Sequence, residues 1–279
     1  MMNYQNSLDF AKTCDQKDVL NRFRDQFYFP TNKAKQKKIY LCGNSLGLQH
    51  KSTPSYINQI LNDWSYYGVD GHTDAQNPWL PYHECLAKPM AEIVGAKPSE
   101  VVIMNTLSVN LHLMMVSFYQ PTPKRRKILI EADAFPSDLY AVESQLKFHD
   151  FDPKDDLILW TPREDFKYHN EDLKELINKY SDKIALVLIG NTNYYTGQNF
   201  DMKFITDTCH GKGIKVGFDL AHGVGNIQPN LHKIGADFAV WCTYKYLNSG
   251  PGSLGGCFVH EKHHHKDLKR FVGWWGHEK

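Results

Sequence analysis

Two segments decide the fold: KVGFDLAHGVGN (215–226) and DFAVWCTYKYLNSGPGSLGG (237–256). Each carries a short apolar run that ends in one charged residue. The run 214–218 ends at Asp219, and the run 238–244 ends at Lys245. Short apolar runs bounded by glycine-rich turns read as buried strands of a parallel sheet. In such sheets the chemistry sits at the carboxyl ends of the strands. The sequence therefore aims an acid and an amine at one crevice. That pair suits pyridoxal phosphate (PLP): the amine bonds the cofactor's aldehyde, and the acid keeps the pyridine nitrogen protonated so that the ring draws electrons. Each residue also has a plainer reading. Lys245 can mark a strand leaving for solvent, and Asp219 with His222 can be a helix N-cap beside a surface histidine.

The composition frames this. The chain has 279 residues, 42% hydrophobic and 23% charged, which suits one large domain with short arms. A net charge of +1 gives no electrostatic case for nucleic acid or a membrane surface. The basic run Lys124–Lys127 precedes an apolar strand pattern and reads as a solvated turn. No apolar segment marks a secretion signal or a bilayer span. The six cysteines lack metal-ligand spacing and read as reduced thiols of a cytoplasmic protein, with no metal expected. His263, His264 and His265 read as a surface turn.

Upstream, residues 1–65 read as an N-terminal helical arm and segment, and 66–279 as one larger domain. A helix starts at Thr53 with Pro54 in its first turn, and Ile57, Ile60, Leu61 and Trp64 form an apolar stripe expected to face the core. A further helix is expected over 82–94, kinked or broken by Pro89. The loop 68–81 carries His72, and GNSLG (43–47) reads as a turn whose glycines bring the backbone close to something. From about residue 100, strands alternate with helices. That pattern means βαβ units, a mostly parallel sheet and helices on both faces. The strand at 101–104 runs into Thr106-Leu107-Ser108 and a helix, where free first-turn N–H groups make an anion site. Thr106 or Ser108 as a simple N-cap is the alternative. The strand at 128–131 leads to Phe135, an aromatic able to stack on a planar ring. The order is telling: a hydroxyl turn, an aromatic turn, an acid at a strand end, then a lysine at a later strand end.

Several segments carry a specific resemblance: GNSLGL (43–48), NPW (77–79), VNLHL (109–113), KRRKILIEADAFPSD (124–138), YTGQ (195–198), GFDLAHGVGN (217–226), YKYLN (244–248) and VGWWGHE (272–278). Together they resemble the kynureninases, PLP enzymes of the aspartate-aminotransferase fold type, over almost the whole chain. The resemblance implies hydrolysis of L-kynurenine to anthranilate and L-alanine, and of 3-hydroxykynurenine to 3-hydroxyanthranilate, by a cytoplasmic homodimer. It implies that Lys245 is the lysine that bonds the cofactor and Asp219 the partner of its pyridine nitrogen. Phe135 matches the stacking aromatic. Leu107 and Ser108 match the phosphate cup, and Ser137, Asp138, His222, Tyr244 and Trp274 match cofactor-contacting positions. Ser45 and His72 match positions near the substrate. Lys245 would abstract the α-proton, and Tyr244 is the candidate proton donor to Cβ.

Two departures bear on the expectation. Gly190 stands where the family carries a hydroxyl residue, with Asn191 the nearest substitute. The family also has a C-terminal smaller domain that grips the substrate carboxylate, whereas this sequence ends at Lys279, so the sequence reading expects weak or no turnover from this chain alone. Another PLP enzyme of the same fold, such as a class V aminotransferase or a cysteine desulfurase, and a non-catalytic PLP-binding, dimerising subunit remain alternatives.

Overall fold

A computed structural model describes residues 4–273. In chain order the elements are α1 Leu8–Lys17, α2 Thr53–Tyr67, α3 Gly71–Asp74, α4 Ala87–Val94, β1 Val101–Ile103, α5 Leu107–Phe118, β2 Lys127–Glu131, α6 Pro136–Phe148, α7 Pro153–Asp156, β3 Leu157–Trp160, α8 Asn170–Lys179, β4 Ile184–Gly190, α9 Met202–His210, β5 Lys215–Asp219, α10 Leu231–Ile234, β6 Phe238–Trp241 and β7 Gly256–Val259. Among the described residues, seven strands form one sheet in the order β1-β7-β6-β5-β4-β2-β3. Only the pairings of β7, with β1 and with β6, are antiparallel. This is the mostly parallel sheet that the alternation of strands and helices predicts.

Period-two alternation within the strands divides the core into two layers. Leu186 and Leu188 of β4 face the layer built with α5 and α6, which holds Leu111, Met115 and Val142. Val187 and Ile189 face the opposite layer, which holds α8 and α9 through Leu173, Ile177 and Ile205. β4 is central and covered on both faces, so all six residues before Gly190 are buried. That explains why it reads as a continuous apolar run.

Four expectations are corrected. The stripe on α2 does not face the core: Asp63 is the helix's only buried residue, and Trp64 is 66% exposed. The expected helix from residue 82 begins at Ala87 instead, which puts Pro89 in its first turn, where a missing N–H breaks no hydrogen bond. The run Lys124–Lys127 is only partly solvated. Arg125 donates to the carbonyls of Gly213, Ser181 and Lys212, and Arg126 pairs with the buried Asp156 at 3.0 Å. The histidine run is not wholly at the surface either: His263 is buried, with Nε2 2.7 Å from Asp237 Oδ1.

Candidate active site

The carboxyl edges of β2, β4, β5 and β6 open onto one cavity. Its lining includes Leu107, Ser108, Phe135, Ser137, Asp138, Asp219, His222, Tyr244 and Lys245, all singled out from the sequence. Asp219 is the last residue of β5, and Lys245 lies in the turn beyond β6. Lys245 Nζ stands 3.1 Å from His222 Nε2 and 5.8 Å from the centre of the Phe135 ring. The turn carrying the lysine is braced from the N-terminal segment. The Gly47 N–H donates to the Tyr244 carbonyl at 2.8 Å, and a Cβ on Gly47 would stand only 2.3 Å from the Lys245 carbonyl. The close approach expected of GNSLG is therefore to the lysine turn.

Two helices begin at the cavity wall. α5 starts at Leu107 after Thr106, and α6 starts at Pro136 after Phe135; neither N-cap side chain satisfies a first-turn N–H. Thr106 therefore sits at the N-cap position without capping. Ser108 Oγ and Ser137 Oγ lie 3.1 Å apart and tie the two helix starts together. Two helix starts without side-chain caps, each carrying a serine hydroxyl, offer the kind of donors that a phosphate can accept from.

The floor is acidic. Glu131, Asp138 and Asp219 are all buried. Burial, reinforced by Asp219, pushes Asp138 up to about 10, and burial also raises Asp219 above the usual carboxylate range. Asp138 therefore keeps its proton at neutral pH beside Asp219, as two carboxyls in contact must share one. Asp219 Oδ1 also accepts the Ala221 N–H at 2.6 Å. Burial pushes Glu131 up to about 7, and its carboxylate accepts the Gly190 N–H at 3.0 Å. Burial, with the charge of Lys245, lowers His222 to about 4, and burial with the Cys242 thiol raises the Tyr244 phenol to about 12. At neutral pH the imidazole is neutral and the phenol holds its proton. An amine, an acid pair, an aromatic face and a phosphate cup around one cavity fit the functional groups of PLP.

The cavity also contains residues that the sequence reading passed over: Glu131, Thr192, Tyr194 and Ala221. Glu131 ends β2 as Asp219 ends β5, so the strand-end rule would have found it. Tyr194 meets Phe135 edge-on at 5.3 Å. Asn191, the residue next to Gly190, is fully buried and packs against Gly223, so it does not line the cavity. Ser45 and His72 are exposed and outside this cavity; His72 packs edge-on against Trp79 at 5.6 Å. Trp274 lies outside the described residues.

Two further polar clusters are built from side chains outside this cavity. Glu100 accepts the N–H groups of Lys97 and Glu261 and lies 3.0 Å from His232. Asp237 accepts the Val216 N–H and pairs with His210 and His263, which holds its carboxyl well below the usual range despite burial.

The fold is that of the class-V aminotransferases, whose family profile matches residues 70–269, and the chain belongs to that family. Within it, the chain is similar to proteins named kynureninase. It is 54% identical to that of Myxococcus xanthus over 99% of this chain and 65% of the relative. It is 53% identical to that of Flavobacterium psychrophilum over 100% of this chain and 66% of the relative. The Nematostella vectensis kynureninase is 52% identical over 97% of this chain and 61% of its own length. The chain thus spans slightly less than two thirds of the length of these relatives. Among solved structures, a cysteine desulfurase of Thermococcus onnurineus shares the fold with a TM-score of 0.63 at 16% identity, covering 94% of this chain and 59% of that one. The cystine C–S lyase C-DES does so with a TM-score of 0.68 at 16% identity, over 80% of this chain and 57% of that one.

Proposed function

We propose that the protein is a kynureninase, a PLP-dependent hydrolase that converts L-kynurenine to anthranilate and L-alanine, and 3-hydroxykynurenine to 3-hydroxyanthranilate and L-alanine, in tryptophan catabolism and NAD biosynthesis. The observation that carries this reading is the placement of the Lys245 amine and the Asp219 carboxyl in one cavity, facing two uncapped helix starts, within a chain 54% identical to a kynureninase. Bound PLP supplies an electron sink for charge developing at the substrate's α-carbon.

The chain's own residues divide the remaining work. The N-termini of α5 and α6, with Leu107, Ser108 and Ser137, hold the phosphate. Phe135 would supply an aromatic face for the ring. Asp219, with protonated Asp138 beside it, would partner the pyridine nitrogen and favour its charged form. Lys245 would hold the cofactor through its amine and would serve as the base for the substrate's α-proton. Neutral His222 accepts a hydrogen bond from the Lys245 amine and orients it. Tyr244, protonated at neutral pH, gives a proton to the β-carbon; general acid help of this kind is worth about 10²–10⁴-fold. Ser45, His72 and Trp274 are assigned to substrate and cofactor by resemblance alone. Fold neighbours include a cysteine desulfurase, but the cysteine nearest the lysine turn, Cys242, is buried with its thiol raised by burial, which disfavours that chemistry.

The same reading makes the protein a cytoplasmic homodimer acting on small molecules, with neither nucleic acid nor membrane as partner. Free cysteines and a near-neutral net charge support this. Among the described residues, no helix is long and apolar enough to cross a membrane. The exposed α2 stripe supports a subunit interface. Residues 1–65 form the arm, and 66–279 the cofactor-holding domain. Incubation of the protein with PLP and L-kynurenine tests the function. Whatever the rate, the products expected are anthranilate and alanine in equal amounts; transamination products without anthranilate would contradict the reading.

A further inference from the structure

Among the residues lining the proposed lysine site, Thr192 alone carries a buried side-chain polar atom without a partner; the amide of neighbouring Asn191 is also unpartnered but lies outside the cavity. Thr192 lines the cavity, yet its hydroxyl oxygen is buried and makes no hydrogen bond within the chain. A buried hydroxyl left without a partner costs about 1–3 kcal/mol, so such groups in a native chain call for an explanation. Loop softness does not supply one, because the segment after β4 is tightly fastened. Asn193 Oδ1 accepts the N–H groups of Tyr195 and Thr196, Asn193 Nδ2 donates to the Asp133 carbonyl, and Thr192 itself bridges to Asn199.

The neighbouring strand end explains why the hydroxyl comes from this position. β4 ends at Gly190, which offers no side chain. Glu131 fills the adjoining space: a Cβ on Gly190 would stand 3.0 Å from Glu131 Oε1, and that carboxylate is already engaged by the Gly190 N–H. Asn191 is turned away against Gly223. Of the groups at the end of β4, the Thr192 hydroxyl alone both belongs to a cavity-lining residue and is left unsatisfied.

We propose that Thr192 is a further cofactor-holding residue, whose hydroxyl donates to an acceptor oxygen of the group bound on Lys245. This rests on the reading of the cavity as a PLP site. In that reading the phosphate has the helix starts, the pyridine nitrogen has Asp219 and the aldehyde has Lys245. The ring oxygen is the acceptor left for Thr192.

The test compares Thr192→Val, which removes the hydroxyl at nearly constant volume, with Thr192→Ser, which keeps it. Both are made in the full-length protein. Two quantities are read: the dissociation constant for PLP by absorbance titration, and the thermal midpoint of the PLP-free protein. The loss of one hydrogen bond predicts that Thr192→Val weakens PLP binding by about tenfold, while Thr192→Ser stays within about threefold. The PLP-free Thr192→Val protein keeps or raises its thermal midpoint, because it loses only an unsatisfied group. A Thr192→Val protein that binds PLP as tightly as the wild type would overturn the inference. So would one whose PLP-free midpoint falls along with its affinity, since the hydroxyl would then serve the fold. A wild-type protein that takes up no PLP would overturn the PLP reading, and this inference with it.

Discussion

Lys245 Nζ stands 3.1 Å from Nε2 of His222, with the ring held neutral by burial and by the lysine itself. A neutral imidazole can accept from the amine; a charged one would repel it. A charge-assisted hydrogen bond of this kind is worth ~1.5–3 kcal/mol. His222→Ala should therefore weaken PLP binding roughly ten- to a hundredfold, and His222→Gln, whose amide oxygen can still accept, should retain most of it. Parallel absorbance titrations of the two variants check this; equal losses would remove His222 from the account.

The two aspartates beside the lysine should not respond alike. Asp138 already carries a proton, so Asp138→Asn keeps a donor toward Asp219 and should cost little cofactor affinity. Asp219→Asn removes the charge that holds the pyridine nitrogen protonated. Loss of a preorganised electrostatic partner of that kind lowers turnover by about 10²–10³-fold. Steady-state rates with saturating PLP separate the two.

Glu131 gives the PLP-free protein a definite pH response. Burial pushes its carboxyl up to about 7 in the folded protein, against 4.5 unperturbed. The folded state then binds more protons than the unfolded one between these values, so this group's effect is to lower stability as pH rises through that window. The full effect amounts to about 3 kcal/mol, at 1.36 kcal/mol for each pH unit. Glu131→Gln should flatten that part of the profile and make the PLP-free protein more stable at pH 8. Denaturant titrations at pH 5 and pH 8 measure the difference.

Much of this site was legible because strand-end chemistry is local. An apolar run that stops at one charge named Asp219 and Lys245, and a strand-turn-helix pattern named Leu107 and Ser108. Glu131 obeys the same rule, but it is hidden inside a longer charged and apolar segment. What failed was long-range. The periodicity of α2 shows that it has an apolar face, but not whether the sheet of this chain covers it, and Trp64 stands exposed. His263 looked like part of a surface run because nothing local reveals that the chain folds back onto Asp237, 26 residues earlier. Ser45 and His72, carried by resemblance, stand outside the cavity, although Gly47, two residues after Ser45, reaches the lysine turn.

That contact through Gly47 is itself testable. A methyl at this position would stand 2.3 Å from both the Lys245 carbonyl and Asn248 Oδ1, and the carbonyl is backbone with little room to yield. Gly47→Ala should destabilise the protein by more than ~2 kcal/mol, as overpacking against main chain does, and lower its PLP content. Thermal unfolding and cofactor stoichiometry of the purified variant read both effects.

The exposed stripe on α2 predicts a change in assembly without a change in fold. Leu61→Glu combined with Trp64→Glu alters two residues more than half exposed, so the circular dichroism spectrum should remain wild-type. Sedimentation velocity should show a shift from dimer toward monomer. A double variant that sediments like the wild type would show that the stripe serves another purpose.

The central claim is that Lys245 carries the cofactor, and one measurement reaches it directly. The protein is incubated with PLP, reduced with borohydride, digested and mapped by mass spectrometry. The account predicts a single pyridoxyl-phosphate adduct, on Lys245, that is absent from Lys245→Ala. An adduct on another lysine, or none, would contradict it.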